Sequence, residues 1–447
     1  MKKQIKQLIL FLFLSVVGLS LKAQEEENTG FSLDQATQYA MQNSYVLFNT
    51  KQDVTIAQKQ VWETITTGLP QVSGTANYNA FLNLPVSLLP GEFFGEDPGT
   101  YIPVKFGQDY SADFGFSVSQ QIFDGSWIVG VSSAELYLNL AKQANEKTEI
   151  DIRSAVAQAY YTVLISQRYR EVMLESLENS TRLYEETKVY YENGFREQQD
   201  VDQLRILQKN AENEVLRSER ELIIAKTVLK YTMGYDLNQE IELTDDLDVF
   251  VSPLVQELNT IDLDLINHID YRLAQSNFEV SDKLFRLEKV AYLPKLDAFY
   301  SYSRTSYGNQ ANLFKEQWFP SSLVGVQATI PIFNSGNKRA KVQRARIELD
   351  KAENDMRFAE ITLQKDYLTA SADMETAREQ FLNTRENRNL AKSILDKTQI
   401  KFNNGMVSSA ELTQQETQYI TTSQQLVTST LSLLQADLNL KKAAGAL

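Results

Sequence analysis

The stretch SWIVGVSSAELYLNLAKQANEKTEIDIRSAVAQAYYTVLISQRYREVMLESLENSTRLYEETKVYYE occupies residues 126–192 and decides the fold. It runs for 67 residues without a proline and with a single glycine, Gly130. At 1.5 Å per residue, an unbroken helix of this length would extend for about 100 Å, which is roughly three times the thickness of the hydrocarbon core of a bilayer. The stretch therefore predicts one very long helix, well beyond the roughly 8–20 residues usual in globular proteins.

Glycine spacing indicates that this element occurs twice. Three glycines of each copy are separated by 69 and then by 40 residues: Gly125, Gly194 and Gly234 in the first copy, and Gly336, Gly405 and Gly445 in the second. Spacing that recurs at a fixed period is the sequence signature of a repeat architecture. The sequence predicts two structural repeats, 24–234 and 261–447, joined by a connector over 235–260. Chance placement of common glycines is the alternative, and four coincident spacings disfavour it.

Each copy is predicted to contain a helix, a β-hairpin, a very long helix, a tight turn and a further helix, which makes the fold mixed but mainly α. A helical pattern over 31–66 gives way to an alternation of period two, which is typical of strands with one apolar side, and the two strands that follow are separated by a loop over 85–108. The predicted strands are 69–84 and 109–123 in the first copy and 294–304 and 322–333 in the second. The predicted elements after the strands are the long helix 126–192, the tip turn 193–200 and the helix 200–232, and then the long helix 337–403, the tip turn 403–409 and the helix 409–444.

Composition excludes several classes of protein. There are 58 acidic and 44 basic residues, with a net charge of −14, so nucleic acid is not an expected partner. The chain has no cysteine, which excludes disulfides and thiolate metal sites, and it has one histidine, His268, which we interpret as structural. No nucleophile motif is present. We therefore expect neither an enzyme nor a metal or cofactor site.

The N-terminus predicts an export signal. Three lysines precede an apolar run over 8–21, and a sequence similar to a cleavage site ends at Ala23. This arrangement is typical of a secretory signal peptide over 1–23, with an uncleaved anchor as the alternative. No other apolar run is long enough for a transmembrane helix, so a chain that crosses a membrane would have to do so with strands.

The four predicted strands are long enough to cross a bilayer as tilted strands. Four strands cannot close a barrel, because the smallest membrane barrels have eight; copies of the chain would therefore have to assemble. Aromatic residues lie where the belts at lipid interfaces are expected, namely Phe123, Trp127, Trp318, Phe319 and Phe333. A soluble sheet packed on helices is one alternative, and a plain bundle or filament of long helices is another.

Four kinds of motif, in a consistent order and mostly doubled, point to a known family. They are the hairpin starts Leu69-Pro70-Gln71 and Leu293-Pro294-Lys295, the hairpin ends Ile122-Phe123-Asp124-Gly125 and Ile332-Phe333-Asn334-Ser335-Gly336, the turns Tyr191-Glu192-Asn193-Gly194 and Phe402-Asn403-Asn404-Gly405, and the segment Asn267-His268-Ile269-Asp270-Tyr271-Arg272. In these motifs the chain resembles the TolC-like outer membrane efflux protein family over nearly its whole mature length.

The resemblance implies a homotrimer in the outer membrane of a Gram-negative-type bacterium, with a twelve-stranded transmembrane β-barrel on a periplasmic twelve-helix α-barrel. It implies a passive exit duct of a tripartite efflux or type I secretion system, whose partners are an inner-membrane transporter, a periplasmic adaptor and outer membrane lipid. The adaptor would dock at the tip turns, at Asn193, Gly194, Phe195, Asn404, Gly405 and Met406. A structural or adhesive long-helix surface protein without a pore is the alternative function.

Two acids follow the tip turns at equal distance. Asp200 lies six residues after Gly194, and Glu411 lies six residues after Gly405. By resemblance these acids line the tunnel entrance, and six carboxylates in a trimer would favour cations. They can also be read as acids that interact favourably with the N-termini of their helices, and the two interpretations are compatible.

The second turn departs from the family pattern. Phe402 and Val407 stand where close relatives carry a tyrosine and an arginine that latch the closed state, and Gln414 stands where a second acid ring can occur. The latch must therefore use other contacts. Residues of the first turn that could supply them are Arg196, Glu197 and Asp202, although a solvated surface is the favoured interpretation of these three.

Overall fold

The computed structural model describes residues 30–256 and 261–447. The predicted signal peptide, 1–23, and the last four residues of the predicted connector lie outside the described residues. The chain is mainly helical, as predicted. None of the helices in the described ranges combines the length and the apolar character needed to cross a membrane.

Elements are numbered here in chain order. The helices are α1 (Leu33–Asn43), α2 (Tyr45–Thr66), α3 (Gly125–Glu192), α4 (Gln198–Met233), α5 (Leu247–Gln256), α6 (Ile269–Val290), α7 (Asn337–Asn403) and α8 (Ser409–Ala444). The strands are β1 (Gly30–Phe31), β2 (Gln71–Ala80), β3 (Val86–Pro90), β4 (Tyr101–Lys105), β5 (Tyr110–Phe123), β6 (Glu242–Leu243), β7 (Lys295–Gly308) and β8 (Trp318–Thr329).

Two compact units share the chain. The first consists of the described residues of 1–49, 146–268 and 362–447, and the second of 50–145 and 269–361. The second unit holds a four-stranded antiparallel sheet in the order β2-β5-β7-β8. The two predicted hairpins thus lie side by side, because β5 of one pairs with β7 of the other, with Phe116 opposite Tyr302. Gly115 of β5 permits this pairing, since a Cβ at that position would lie 2.5 Å from the Tyr302 carbonyl oxygen.

The loop predicted over 85–108 is partly a hairpin, so that prediction was wrong in part. Strands β3 and β4 pair antiparallel, with Val86 opposite Lys105. A short 3-10 turn, Gly91–Phe94, follows β3, and the Gly91 N–H donates to the Thr100 carbonyl at 2.8 Å. The prolines and glycines of this segment predict an irregular loop, whereas the pairing of β3 with β4 gives it regular structure.

The core of the first unit surrounds Tyr160 of α3, which is completely buried. Its hydroxyl lies 2.8 Å from the Phe31 carbonyl oxygen and 3.0 Å from Asp245 Oδ2. Asp245 Oδ2 also accepts from the Leu33 N–H at 2.7 Å. Burial raises the pKa of the Tyr160 phenol well above its usual value, so the group stays protonated and can donate. The acidic connector thereby ties the start of α1 to α3.

Candidate functional site

The first tip turn follows the last residue of α3, Glu192. Gly194 has a left-handed φ of 77°, and the Phe195 N–H donates to the Tyr190 carbonyl at 2.8 Å. The Asn193 side chain donates to the Val189 carbonyl at 2.8 Å. Together these contacts form a Schellman-type cap, which satisfies carbonyls that a helix C-terminus would otherwise leave unpaired. The cap leaves the Phe195 side chain 76% exposed.

The second helix turn, at the end of α7, has the same backbone pattern. Gly405 has a φ of 72°, the Met406 N–H donates to the Lys401 carbonyl at 2.9 Å, and the Asn404 side chain donates to the Ile400 carbonyl at 2.8 Å. Met406 is 71% exposed. Each turn therefore presents one large apolar side chain to solvent.

Both predicted entrance acids lie in the first turn of the next helix. Asp200 is half-buried near the start of α4, and its N–H donates to the Glu197 carbonyl at 3.1 Å. Glu411 is exposed near the start of α8, and its N–H donates to the Ser408 hydroxyl at 3.3 Å. Both positions are near a helix N-terminus, where a negative charge is favourable.

Arg196 joins the two turns. Its guanidinium carbon lies 4.2 Å from the centre of the Phe402 ring, and its Nη2 donates to the Phe402 carbonyl. Phe402 itself is only 2% exposed. The favoured interpretation of Arg196 as a solvated side chain was therefore wrong. Glu197 is an exposed N-cap, and Asp202 accepts from Gln198 at 2.9 Å within α4.

A buried apolar cluster, here called the tip cluster, lies between the parts of the long helices that adjoin the two tip turns. Its members come from all four long helices: Leu183, Leu204, Leu207, Ala391, Leu395, Phe402, Leu412 and Tyr419, with Val407 packed partly buried against it. Phe402 and Val407, which by resemblance stand at the positions of the latch pair of close relatives, thus pack their side chains on apolar surface, and the hydrogen bond at Phe402 is made by its carbonyl.

Glu416 of α8 is a buried acid, and it lies two residues beyond the predicted Gln414, which is exposed. Glu416 is 2% exposed, and its Oε1 accepts from the Ser176 hydroxyl at 2.6 Å. Its Oε2 has no hydrogen-bond partner among the described residues. Burial raises the pKa of this carboxyl, although the positive charge of Lys392 acts in the opposite direction.

A sequence signal for Glu416 exists in hindsight. Leu412, Glu416, Tyr419 and Ser423 recur at steps of four, three and four, and all four are buried. An acid that falls on the apolar stripe of a helix is expected to face the protein interior. The resemblance places the second acid ring at Gln414 instead.

The aromatic residues predicted to lie at lipid interfaces occupy the ends of the sheet and the segments that follow it. Trp318 begins β8 and its ring centre lies 5.1 Å from that of Phe114, while Phe319 and Phe333 are 51% and 87% exposed. Phe123 ends β5 and is half-buried. The Trp127 indole N–H, in the first turn of α3, donates to the Thr64 carbonyl at 3.1 Å.

Within residues 30–256 and 261–447, no cluster of three or more histidine, aspartate or glutamate side chains is arranged to hold a metal ion. The chain has no cysteine that could add to one. The arrangement at the turns offers packing, charge and hydrogen bonding, which are the means of a gate or a docking surface.

Comparison with known families identifies the family of the chain. The model of a family described as outer membrane efflux protein matches residues 36–235 and 260–446. The chain belongs to the outer membrane efflux protein family. The resemblance proposed from the motifs is thereby confirmed.

One relative is similar to the chain in sequence, and two solved structures are similar to it in fold. The chain is 23% identical over 344 residues to the probable efflux pump outer membrane protein TtgC of Pseudomonas putida, over 75% of this chain and 69% of the relative. Its fold is similar to that of the outer membrane protein VceC of Vibrio cholerae, with a TM-score of 0.69, 15% identity, and coverage of 92% of this chain and 96% of VceC. The open-state MtrE outer membrane channel of Neisseria gonorrhoeae is similar with a TM-score of 0.70, 16% identity, and coverage of 92% and 88%.

Proposed function

We propose that three copies of this chain form the outer-membrane exit channel of a tripartite efflux or type I secretion system. The match of the efflux family to almost the whole chain is the observation that carries this proposal. The channel would be a passive duct that receives its cargo from an inner-membrane transporter through a periplasmic adaptor. Its helical part would lie in the periplasm, after export directed by the segment 1–23.

The sheet gives a physical reason for assembly. Its edge strands are β2, in which all ten residues are exposed, and β8, in which most are. Within lipid, each unpaired backbone group at such an edge would cost several kcal/mol. If β8 of one copy paired with β2 of the next, three copies would close a barrel of twelve strands, and their long helices would continue it as a tunnel of twelve.

The tip turns are the proposed adaptor-docking surface. Phe195 and Met406 expose apolar side chains at turns that are rigidly capped. Apolar side chains that form a contiguous exposed patch mark protein interaction sites, and the proposal is that Phe195 and Met406 contribute to such a patch. The alternative, a structural or adhesive protein without a pore, would require no adaptor.

A conductance experiment separates the two functions. Detergent-purified full-length protein, checked for a trimer by size-exclusion chromatography with light scattering, would be inserted into a planar bilayer. We expect discrete, stable channels. A water-soluble monomer, or a trimer that inserts without passing ions, would contradict the proposal.

The first prediction concerns ion selectivity. Asp200 and Glu411 would place six carboxylates at the tunnel entrance, and such a group attracts cations and repels anions. We expect the double variant Asp200→Asn with Glu411→Gln to lose cation preference, measured as a shift of the reversal potential towards zero in a salt gradient. The matched control is Glu178→Gln, an exposed acid within α3, which should leave the reversal potential unchanged. The role of these acids would be refuted if wild-type channels preferred anions and the double variant had the same reversal potential as the wild type.

The second prediction concerns the entrance latch. A hydrogen bond from a charged donor is worth about 1.5–3 kcal/mol, and the cation–π contact adds about 0.5–1 kcal/mol, so Arg196 is a sufficient substitute for the missing latch pair. If the turns separate when the entrance opens, Arg196→Gln is expected to raise the ratio of open to closed channels by at least about tenfold, because each 1.4 kcal/mol lost changes this ratio about tenfold. Single-channel recording measures this directly.

Arg182→Gln is the control for the latch, because Arg182 contacts Asn179 within α3 instead of the second turn. Arg196→Lys should resemble Arg196→Gln in part, since lysine keeps the charge and lacks the planar guanidinium. Unchanged gating in both Arg196 variants would show that this contact does not hold the entrance.

A further inference from the structure

A cavity of about 240 Å³ opens into the first unit between α3, α5, α7 and α8, away from the tip turns. Its floor is apolar and includes Ile165, Val251, Phe381 and Leu426. Since a water molecule occupies about 30 Å³ in the liquid, the cavity has room for roughly eight to ten non-hydrogen atoms. This is the size of a small organic molecule and exceeds what an isolated ion needs.

The polar lining of the cavity is rich in donors. Arg385 and Arg388 of α7 line it, and neither has a carboxylate within 4 Å among the described residues. Arg168 lines it as well, but this side chain is paired with Glu171 at 2.9 Å. Asp248 is the only acidic residue of the lining and balances one of the two arginines without an ion pair, Arg385 and Arg388. The cavity therefore has one positive charge in excess.

Two donors in the cavity lining are buried without a partner. Neither the Nε of Arg388 nor the hydroxyl of Ser423 has a hydrogen-bond partner in the part of the chain that the structure describes. Ser423 is only 4% exposed. Buried donors without an acceptor are uncommon in folded proteins and call for an explanation. A ligand group that only accepts hydrogen bonds would satisfy both donors, and a carboxylate is such a group.

We propose that this cavity binds a small monocarboxylate with an apolar body, whose carboxylate is held by Arg385, Arg388 and Ser423 and whose body lies on the apolar floor. One negative charge matches the one excess positive charge, whereas a phosphate dianion would exceed it. Guanidinium groups bind carboxylates through paired, charge-assisted hydrogen bonds, which favours this anion over a halide. The site is independent of the proposed transport function, and its test requires no channel activity.

Titration calorimetry with benzoate tests the proposal on the full-length, detergent-purified protein. We expect saturable binding at one site per chain, and binding at least about tenfold weaker for benzyl alcohol, which has a similar shape without the charge. The double variant Arg385→Gln with Arg388→Gln should weaken benzoate binding by about tenfold or more. Ser423→Leu should abolish it because the larger side chain occupies the place of the carboxylate and removes the hydroxyl.

Arg344→Gln is the matched control, because Arg344 is an exposed arginine of α7 that does not line the cavity, and it should bind as the wild type does. Helical circular dichroism confirms that each variant is folded, and the two arginine changes alter only side chains that are exposed or half-buried. Absence of saturable binding to the wild type would overturn the proposal, including the case in which a side chain of a neighbouring copy fills the cavity. Equal affinity for benzoate and benzyl alcohol, or retention of full affinity in the arginine double variant, would overturn it as well.

Discussion

Replacement of Gly234 by alanine is expected to destabilise the protein by about 2–5 kcal/mol, whereas the same change at Gly194 should cost only about 1–2 kcal/mol. Both glycines cap a long helix with a left-handed φ, 73° and 77°, and an L-residue in that conformation costs about 1–2 kcal/mol. A Cβ at Gly234 would also lie 2.5 Å from the carbonyl oxygen of Asn43 and 3.0 Å from its carbonyl carbon. That backbone ends α1 and cannot rotate away as a side chain could, so overpacking adds roughly 1–3 kcal/mol.

Thermal unfolding, followed by circular dichroism at 222 nm, measures the difference between the two glycines. Gly405→Ala serves as a second control, because a Cβ at Gly405 or at Gly194 would have no atom within 4 Å. The wild type and all three variants should be compared at one protein and detergent concentration, since assembly contributes to apparent stability. Equal losses at Gly234 and Gly194 would show that the end of α1 moves aside to admit a methyl group.

Replacement of Glu416 by glutamine is expected to stabilise the protein at pH 8, by about 1–3 kcal/mol, and to have little effect near pH 4. Burial raises the pKa of Glu416 above its ordinary value of 4.5. The folded protein therefore keeps this proton to a higher pH than the unfolded chain does. Between the ordinary and the raised pKa the folded state binds more protons, so stability falls as the pH rises through that window. Glutamine resembles the protonated form at every pH and removes this loss.

The unfolding midpoints of the wild type and Glu416→Gln across about pH 4–8 test this prediction. Glu178→Gln is the control, because Glu178 is exposed on α3 and its replacement should change stability by a similar small amount at each pH. Lys392 lies 2.9 Å from Glu175 and 3.7 Å from Asp396. Its positive charge favours the ionised form of Glu416 and so acts against the predicted effect. A Glu416→Gln variant no more stable than the wild type at pH 8 would show that the interior accepts the charged carboxyl.

Local pattern was sufficient for the long helices and the main hairpins of this protein, but not for the pairing of β3 with β4 or for the break between α1 and α2. The stretch 126–192 predicts a long helix, and α3 spans Gly125–Glu192; the turns at Gly194 and Gly405 both have the positive φ that an Asn-Gly sequence favours. Helix and strand periodicities, and the conformational freedom of glycine, are properties of neighbouring residues. They can therefore be read without knowledge of distant contacts. The same is true of the placement of Asp200 and Glu411 in the first turns of their helices.

Contacts between distant residues were decided by the tertiary structure alone. The pairing of β5 with β7, the stacking of Arg196 on Phe402 and the hydrogen bond from Ser176 to Glu416 join residues separated by roughly 170 to 240 positions. A strand with one apolar side can pair with several partners, and an arginine near a turn can be solvated or stacked. The choice between these outcomes depends on which surfaces the packed helices and strands bring together, which no short stretch of sequence specifies.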